Sequence, residues 1–203
     1  MEFKTYSHRN GLELLETQHK KIWEELQEVI KNISEKDLIN KFPISKNKMS
    51  LSSAINNLLK ERLSERGWLP EAPIFQDPEY SQKKETIWRL DFAKESISIE
   101  VSFNHGEALA WNLTKPTLAS EMNHVRKAIQ TKVGVIILVS EDMKKAGAFD
   151  GAVGSYEKAI RYLKPMHTLL TVPTILIGLN APKTFRIEKV KEGNFNKGII
   201  KKI

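Results

Sequence analysis

At 203 residues the chain is long enough for one domain with a substantial core, and its lack of cysteine excludes disulfides and thiolate metal sites. A formal net charge of +7, from 32 Lys and Arg against 25 Asp and Glu, favours a polyanionic partner without identifying it. The five histidines (His8, His19, His105, His124, His167) show no paired metal-ligand spacing, the apolar run 133–139 is too short to span a bilayer, and the start lacks a signal-peptide core, so a soluble cytoplasmic protein is expected.

In chain order, residues 11–33 carry Leu12, Leu15, Ile22, Trp23, Leu26, Val29 and Ile30 at spacings of mostly three or four, which predicts an amphipathic helix serving as scaffold or dimer face. A second helix is predicted over 50–66, with Ser50 as its cap and Gly67 as its stop. Between them, 41–49 is a basic loop in which Met49 follows Lys46 and Lys48. The methionine is either a wedge between base steps or the hydrophobic staple of the helix behind it. Three prolines make 69–82 a loop.

Two strands then follow. The run 86–91 ends on Asp91, residues 93–96 reverse the chain, and 97–103 alternates Ile97, Ile99, Val101 and Phe103 with Ser98, Glu100 and Ser102. This period of two places Glu100 on an outward, polar face and brings it towards Asp91 at one edge of a sheet. Further on, the pattern predicts a helix over 116–130, a strand buried on both faces over 133–140, and a right-handed crossover between strands. A polar loop over 140–154 follows, then a helix capped by Ser155 and running to Leu163. The last element is an edge strand over 169–179, interrupted by Pro173. The lysine-rich end 197–203 is read as a frayed tail in preference to a phosphate contact. The sum is one α/β domain over 1–203, a mixed sheet with helices on both sides.

Two carboxylates a few ångströms apart repel unless a cation lies between them. Hard oxygen ligands suit Mg²⁺, which takes one or two carboxylates and completes its shell with water and substrate phosphate. The chemistry implied is phosphodiester hydrolysis. The competing reading is an ordinary solvent-facing Asp/Glu pair, which many sheets carry.

The chain resembles the BglII, BstYI and BamHI group of type II restriction endonucleases, within the PD-(D/E)xK nuclease fold, with ThaI-like enzymes as a further relative. The resemblance is carried by three segments: Tyr6 to Glu13 followed by Ile22 to Leu26; Asp91 with Glu100-Val101-Ser102 nine residues on; and Gly154 to Glu157 with the strand after Pro173. It implies Asp91 and Glu100 as metal-binding carboxylates, the Val101 carbonyl as a further ligand, and Ser102 in the place where the superfamily has lysine and the BglII branch glutamine. A serine hydroxyl there can hydrogen-bond the attacking water and cannot act as its base near neutral pH. Glu61 and Glu65, four apart on one helix, are candidates for a further acid.

Specific cleavage also needs base contacts. The resemblance points to Asn104 and His105, just beyond the metal strand, and to the loop 141–156 with Lys144, Lys145, Asp150 and Ser155. Lys46, Lys48 and Met49 complete the candidate DNA-binding set. The function implied is an Mg²⁺-dependent, sequence-specific endonuclease that cuts double-stranded DNA at a short palindrome, leaves 5′-phosphates and works as a homodimer matched to the target's two-fold symmetry. Two alternatives stand beside it: an inactive DNA-binding protein on the same fold, and a repair nuclease that reads DNA structure.

Overall fold

A computed structural model describes residues 1–42, 49–82, 86–121, 124–193 and 195–203. In chain order it contains β1 (Phe3–His8), α1 (Gly11–Thr17), α2 (Lys20–Lys31), α3 (Glu35–Lys41), α4 (Ser52–Glu65), β2 (Leu69–Pro73) and α5 (Pro78–Ser81). A 3₁₀ turn, Thr86–Trp88, leads into β3 (Arg89–Lys94) and β4 (Ile97–Val101). Then come α6 (Leu109–Ser120), β5 (Val133–Val139), α7 (Glu141–Ala146), α8 (Tyr156–Leu163), β6 (Thr174–Leu179), β7 (Phe185–Glu192) and β8 (Phe195–Lys202).

Six strands form a mixed sheet in the order β1-β6-β5-β4-β3-β2, and β7 and β8 form a separate hairpin. The parallel centre β4-β5-β6 is the most apolar part, because helices cover both of its faces and every residue of β5 and β6 is buried. Alternation sorts its side chains. Ile97, Ile99, Val135, Ile137, Ile175 and Ile177 meet Leu15, Trp23, Leu26, Ile30, Ile55 and Leu59 from α1, α2 and α4. Ile136, Leu138 and Leu176 point the other way, onto Leu109 and Leu113 of α6 and Tyr156, Ala159 and Leu163 of α8.

The structure departs from the sequence expectations at several points. The helix expected over 11–33 is two, α1 on the sheet and α2 against α4, with the break at Gln18 and His19. The preceding β1 pairs antiparallel with β6, so β6 is an interior strand, and it starts only after Pro173. Within 69–82 the chain forms β2, where proline is tolerated because the strand lies at the sheet edge. The helix placed at 116–130 is α6, which begins seven residues earlier; Pro116 lies inside it, where it was read as a start. The loop at 140–154 contains α7, capped by Ser140, whose hydroxyl accepts from the Met143 N–H at 3.1 Å. The expected tail is β8, and the hairpin is anchored by Phe185 and Ile187, which are buried in the main core with Phe42. Residues 43–48, including Lys46 and Lys48, lie outside the described residues. Among the described residues no helix is long and apolar enough to cross a membrane.

Candidate active site

The β3–β4 ladder runs Lys94↔Ile97, Ala93↔Ser98, Phe92↔Ile99 and stops there. One residue further the two strands no longer pair through their backbones, and side chains take over the freed donors. The Val101 N–H donates to Asp91 Oδ2 at 2.6 Å, and the Asp91 N–H makes a long bond of 3.3 Å to Glu100 Oε1. Both carboxylates are therefore held by the gap between the strands. β4 meanwhile stays paired to β5 through Val101↔Ile137, which fixes its direction. β3 and β4 are interior strands, so the pair does not sit at a sheet edge as the sequence pattern had placed it.

Alternation on β4 is as predicted, but its polar face is not outward. Ser98, Glu100 and Ser102 are all buried, with Glu100 only 1% exposed, because α6 lies over them. A helix covering a polar strand face must bring polar partners. Asn112 and Lys115, three apart and hence on one side of α6, supply them. The Asn112 amide donates to Ser102 Oγ at 2.9 Å, and the Lys115 ammonium donates to Glu100 Oε2 at 2.8 Å. α6 can come this close because β5 has Gly134 beneath it: a Cβ there would lie 2.6 Å from Pro116 Cβ.

The electrostatics follow from this enclosure. Burial pushes the Glu100 carboxyl up to about 8, the Asp91 charge pushes the same way, and Lys115 opposes both. Burial also raises Asp91, against the Val101 N–H and the Lys115 charge. Both carboxyls are raised although Lys115 opposes it, so their ionised forms need further positive charge beside them. Its donors are hard oxygens, so the residues present fit a divalent cation of the Mg²⁺ type. Among the described residues no three His, Asp or Glu side chains converge as a metal-binding group, so any ion held here needs backbone carbonyl, water or substrate oxygens as well.

Asp91, Glu100 and Val101 open onto one cavity of about 230 Å³, whose wall also includes Asn56 and Lys60 from α4, Glu71, Asn104, Asn112 and Lys115. A larger hollow of about 710 Å³ beside the N-terminus shares no residue with it. Glu71 stands in β2 between the paired positions Pro70↔Phe92 and Ala72↔Leu90, with a left-handed φ of 51° that is costly for a residue with a side chain. Its carbonyl accepts from Arg89 at 2.9 Å, and its charge helps to raise Asp91. Asn112, Lys115, Lys60 and Glu71 were not singled out from the sequence. Only the three-residue spacing of Asn112 and Lys115 was a visible signal, and it was hidden by the misplaced start of α6.

The other predicted residues fall as follows. Ser102 is off the cavity wall, buried, with its hydroxyl occupied by Asn112. Glu61 pairs with Lys41 on the exposed side of α4, and neither it nor Glu65 lines the cavity. Asn104 borders both the carboxylate cavity and a neighbouring hollow of about 510 Å³ that also holds His105, Asp150 and Val153. The two candidate reading segments are joined to each other: the Gly154 N–H donates to the Asn104 carbonyl at 3.2 Å, the Gly106 N–H to the Ala152 carbonyl at 2.6 Å, and His105 bridges Val153.

Lys144 is turned onto the carbonyls of Gly151 and Val153, bracing this loop, whereas Lys145 is exposed. Ser155 is buried as the cap of α8, accepting from the Lys158 N–H. Met49 is half-buried beside a third hollow, shared with Asn56, Asp150 and Lys189, and it precedes an α4 that has no side-chain cap.

Comparison with known families matches residues 3–179 to the family described as restriction endonuclease BglII/BglIII. Among solved structures, the chain is similar to the crystal structure of restriction endonuclease BglII complexed with a DNA 16-mer, at 18% identity and TM-score 0.68, with all of both chains covered. It is also similar to the crystal structure of free BglII, at 18% identity and TM-score 0.58, with 100% of this chain and 94% of that one covered. At this identity the likeness establishes the fold. No curated protein matches the chain.

Proposed function

The chain belongs to the BglII/BglIII restriction endonuclease family and is a sequence-specific type II restriction endonuclease with a divalent metal cofactor, and from that premise we propose how its residues divide the work. Asp91 and Glu100, with the Val101 carbonyl, hold Mg²⁺ in the carboxylate cavity. When bound, the ion would polarise the scissile phosphoryl group and stabilise the leaving oxyanion.

The observation that carries this reading is the pair of enclosed carboxyls on β3 and β4, both raised by burial, at the wall of a cavity that also presents two lysines. Asp91 ties its carboxylate to β4 through the Val101 N–H, so the two ligands keep a fixed separation. Ser102 acts on this site through Asn112, by keeping α6 seated. The joined segments around Asn104, His105 and 152–154 read bases from the adjoining hollow, and Lys145 and Met49, with the basic 41–48 segment, contact the DNA around it. A single domain carries both tasks. Two copies, related by a two-fold axis, cut the two strands of a short palindrome and leave 5′-phosphates, in the cytoplasm of a prokaryotic cell.

The test is digestion of a fully sequenced plasmid with Mg²⁺, alongside an EDTA control and Asp91→Ala, followed by sequencing of the fragment ends. Discrete fragments sharing one palindromic end sequence, absent with EDTA and with Asp91→Ala, are expected. Equal cleavage by Asp91→Ala would overturn the site assignment.

A further inference from the structure

Hydrolysis of a phosphodiester adds negative charge to the phosphoryl oxygens, in a cavity whose wall already carries three acids, Asp91, Glu100 and Glu71. Positive charge supplied by the protein is therefore at a premium there. α6 meets the sheet mainly through apolar residues, Leu109, Leu113, Pro116 and Ala119, and burying an ammonium beside them is costly. Lys115 nevertheless carries its charge into the interior, with its side chain 10% exposed, and reaches the cavity wall. Asn112, one turn earlier, pins the same helix face to β4 through Ser102, so the lysine arrives on a rigid support. It holds the Oε2 oxygen of Glu100, one that a divalent ion on Glu100 would compete for, and one bond of this kind uses one of an ammonium's three N–H groups.

We propose that Lys115 is a catalytic residue of the cleavage reaction: held at the cavity wall beside Glu100, its ammonium donates to a non-bridging oxygen of the scissile phosphodiester and stabilises the charge that builds there. This rests on the assignment of Asp91 and Glu100 as the metal carboxylates. In the step itself the water oxygen forms the new bond to phosphorus, and the bond from phosphorus to O3′ breaks with its electron pair going to O3′. The water gives up a proton to solvent and O3′ takes one from solvent. Lys115 neither gains nor loses a proton.

The experiment compares wild type, Lys115→Met and Lys115→Arg in single-turnover cleavage with Mg²⁺, in Mn²⁺ titration of the DNA-free protein by calorimetry, and in DNA binding with Ca²⁺. For Lys115→Met the cleavage rate is expected to fall about 10²–10³-fold, the magnitude typical of removing one charge-stabilising donor. Its Mn²⁺ affinity should be unchanged or tighter, since a competing cation has been removed from Glu100. Its DNA affinity should change by less than about tenfold, and Lys115→Arg should regain at least roughly tenfold in rate.

Cleavage by Lys115→Met at the wild-type rate would overturn the proposal. So would a loss of Mn²⁺ binding in parallel with the rate, which would make the lysine a prop for Glu100. Should the Met variant not fold, Lys115→Gln against Lys115→Arg makes the same comparison. If wild type and Asp91→Ala alike leave DNA intact, the carboxylate assignment fails first and this inference with it, an outcome distinct from an active enzyme indifferent to Lys115.

Discussion

Gly134→Ala tests whether the close seat of α6 on β5 is what delivers Asn112 and Lys115 to the carboxylates. The added Cβ would lie 2.6 Å from Pro116 Cβ, 2.8 Å from Pro116 Cγ and 3.0 Å from Thr174 Oγ1. Ordinary contact begins at 3.4 Å, so the shortfall is about 0.8 Å. The proline ring cannot swing away as a long side chain would, and β5 is held by β4 and β6 on both sides, so α6 must move. Overpacking of this kind costs about 1–3 kcal/mol. Taking about 2 kcal/mol, Tm should fall by roughly 4–8 °C for a domain of this size.

Lys115 is adjacent to the displaced residue, and a misplacement approaching 1 Å can cost about 10²-fold in rate. The assay is a thermal melt followed by tryptophan fluorescence, paired with single-turnover cleavage. Gly151→Ala is the control for the melt, because its Cβ would meet nothing within 4 Å, and wild type is the control for cleavage, because Gly151 borders the segment assigned to base reading. If Gly134→Ala melts and cleaves like these controls, the close approach does not position the site and the reasoning fails.

Two further outcomes are expected. Ser102→Ala should lower stability by about 1–3 kcal/mol, because the buried Asn112 amide loses its acceptor, and should slow cleavage by about tenfold at most, through the loosened seat of α6; a loss of 10³-fold or so at unchanged stability would restore Ser102 to the chemistry. Glu100 makes a pH-dependent contribution: its carboxyl titrates near the ordinary glutamate value of 4.5 in the unfolded chain and about 8 in the folded one, so the folded state binds the extra proton between these values. Its contribution to stability is thus complete below about 4.5 and is lost as pH rises through about 8. In EDTA, urea melts at a series of pH values across this window should show a more negative slope of stability against pH for wild type than for Glu100→Gln. Equal slopes would show that Glu100 is not raised.

The neighbourhood of Asp91 and Glu100 was legible in the sequence because hairpin proximity and strand alternation are local. Nine residues and a reversal at Glu95 and Ser96 suffice to set the two acids side by side. Alternation also assigned Ile97 and Ile99 to one face and Glu100 and Ser102 to the other, correctly. It could not say whether the polar face meets water or a helix, since that depends on α6, whose register was obscured by Pro116. The same limit hid β1: a short, half-exposed strand such as Phe3–His8 has little periodicity of its own and is defined by its partner β6.

What the sequence determined by itself is the local grammar: an α/β chain, a buried central strand at 133–139, a carboxylate hairpin, and a helix capped by Ser155. Each depends on residues within a turn or a strand of one another. What only the tertiary structure decided is the character of the site. Glu100 is enclosed because α6 packs over β4, Lys115 reaches it because Gly134 lets that helix descend, and Glu71, Asn56 and Lys60 meet the same cavity from β2 and α4. These are contacts between elements distant in sequence, fixed by how side-chain volumes fill the space between helix and sheet, and periodicity along one segment carries no record of what packs against it.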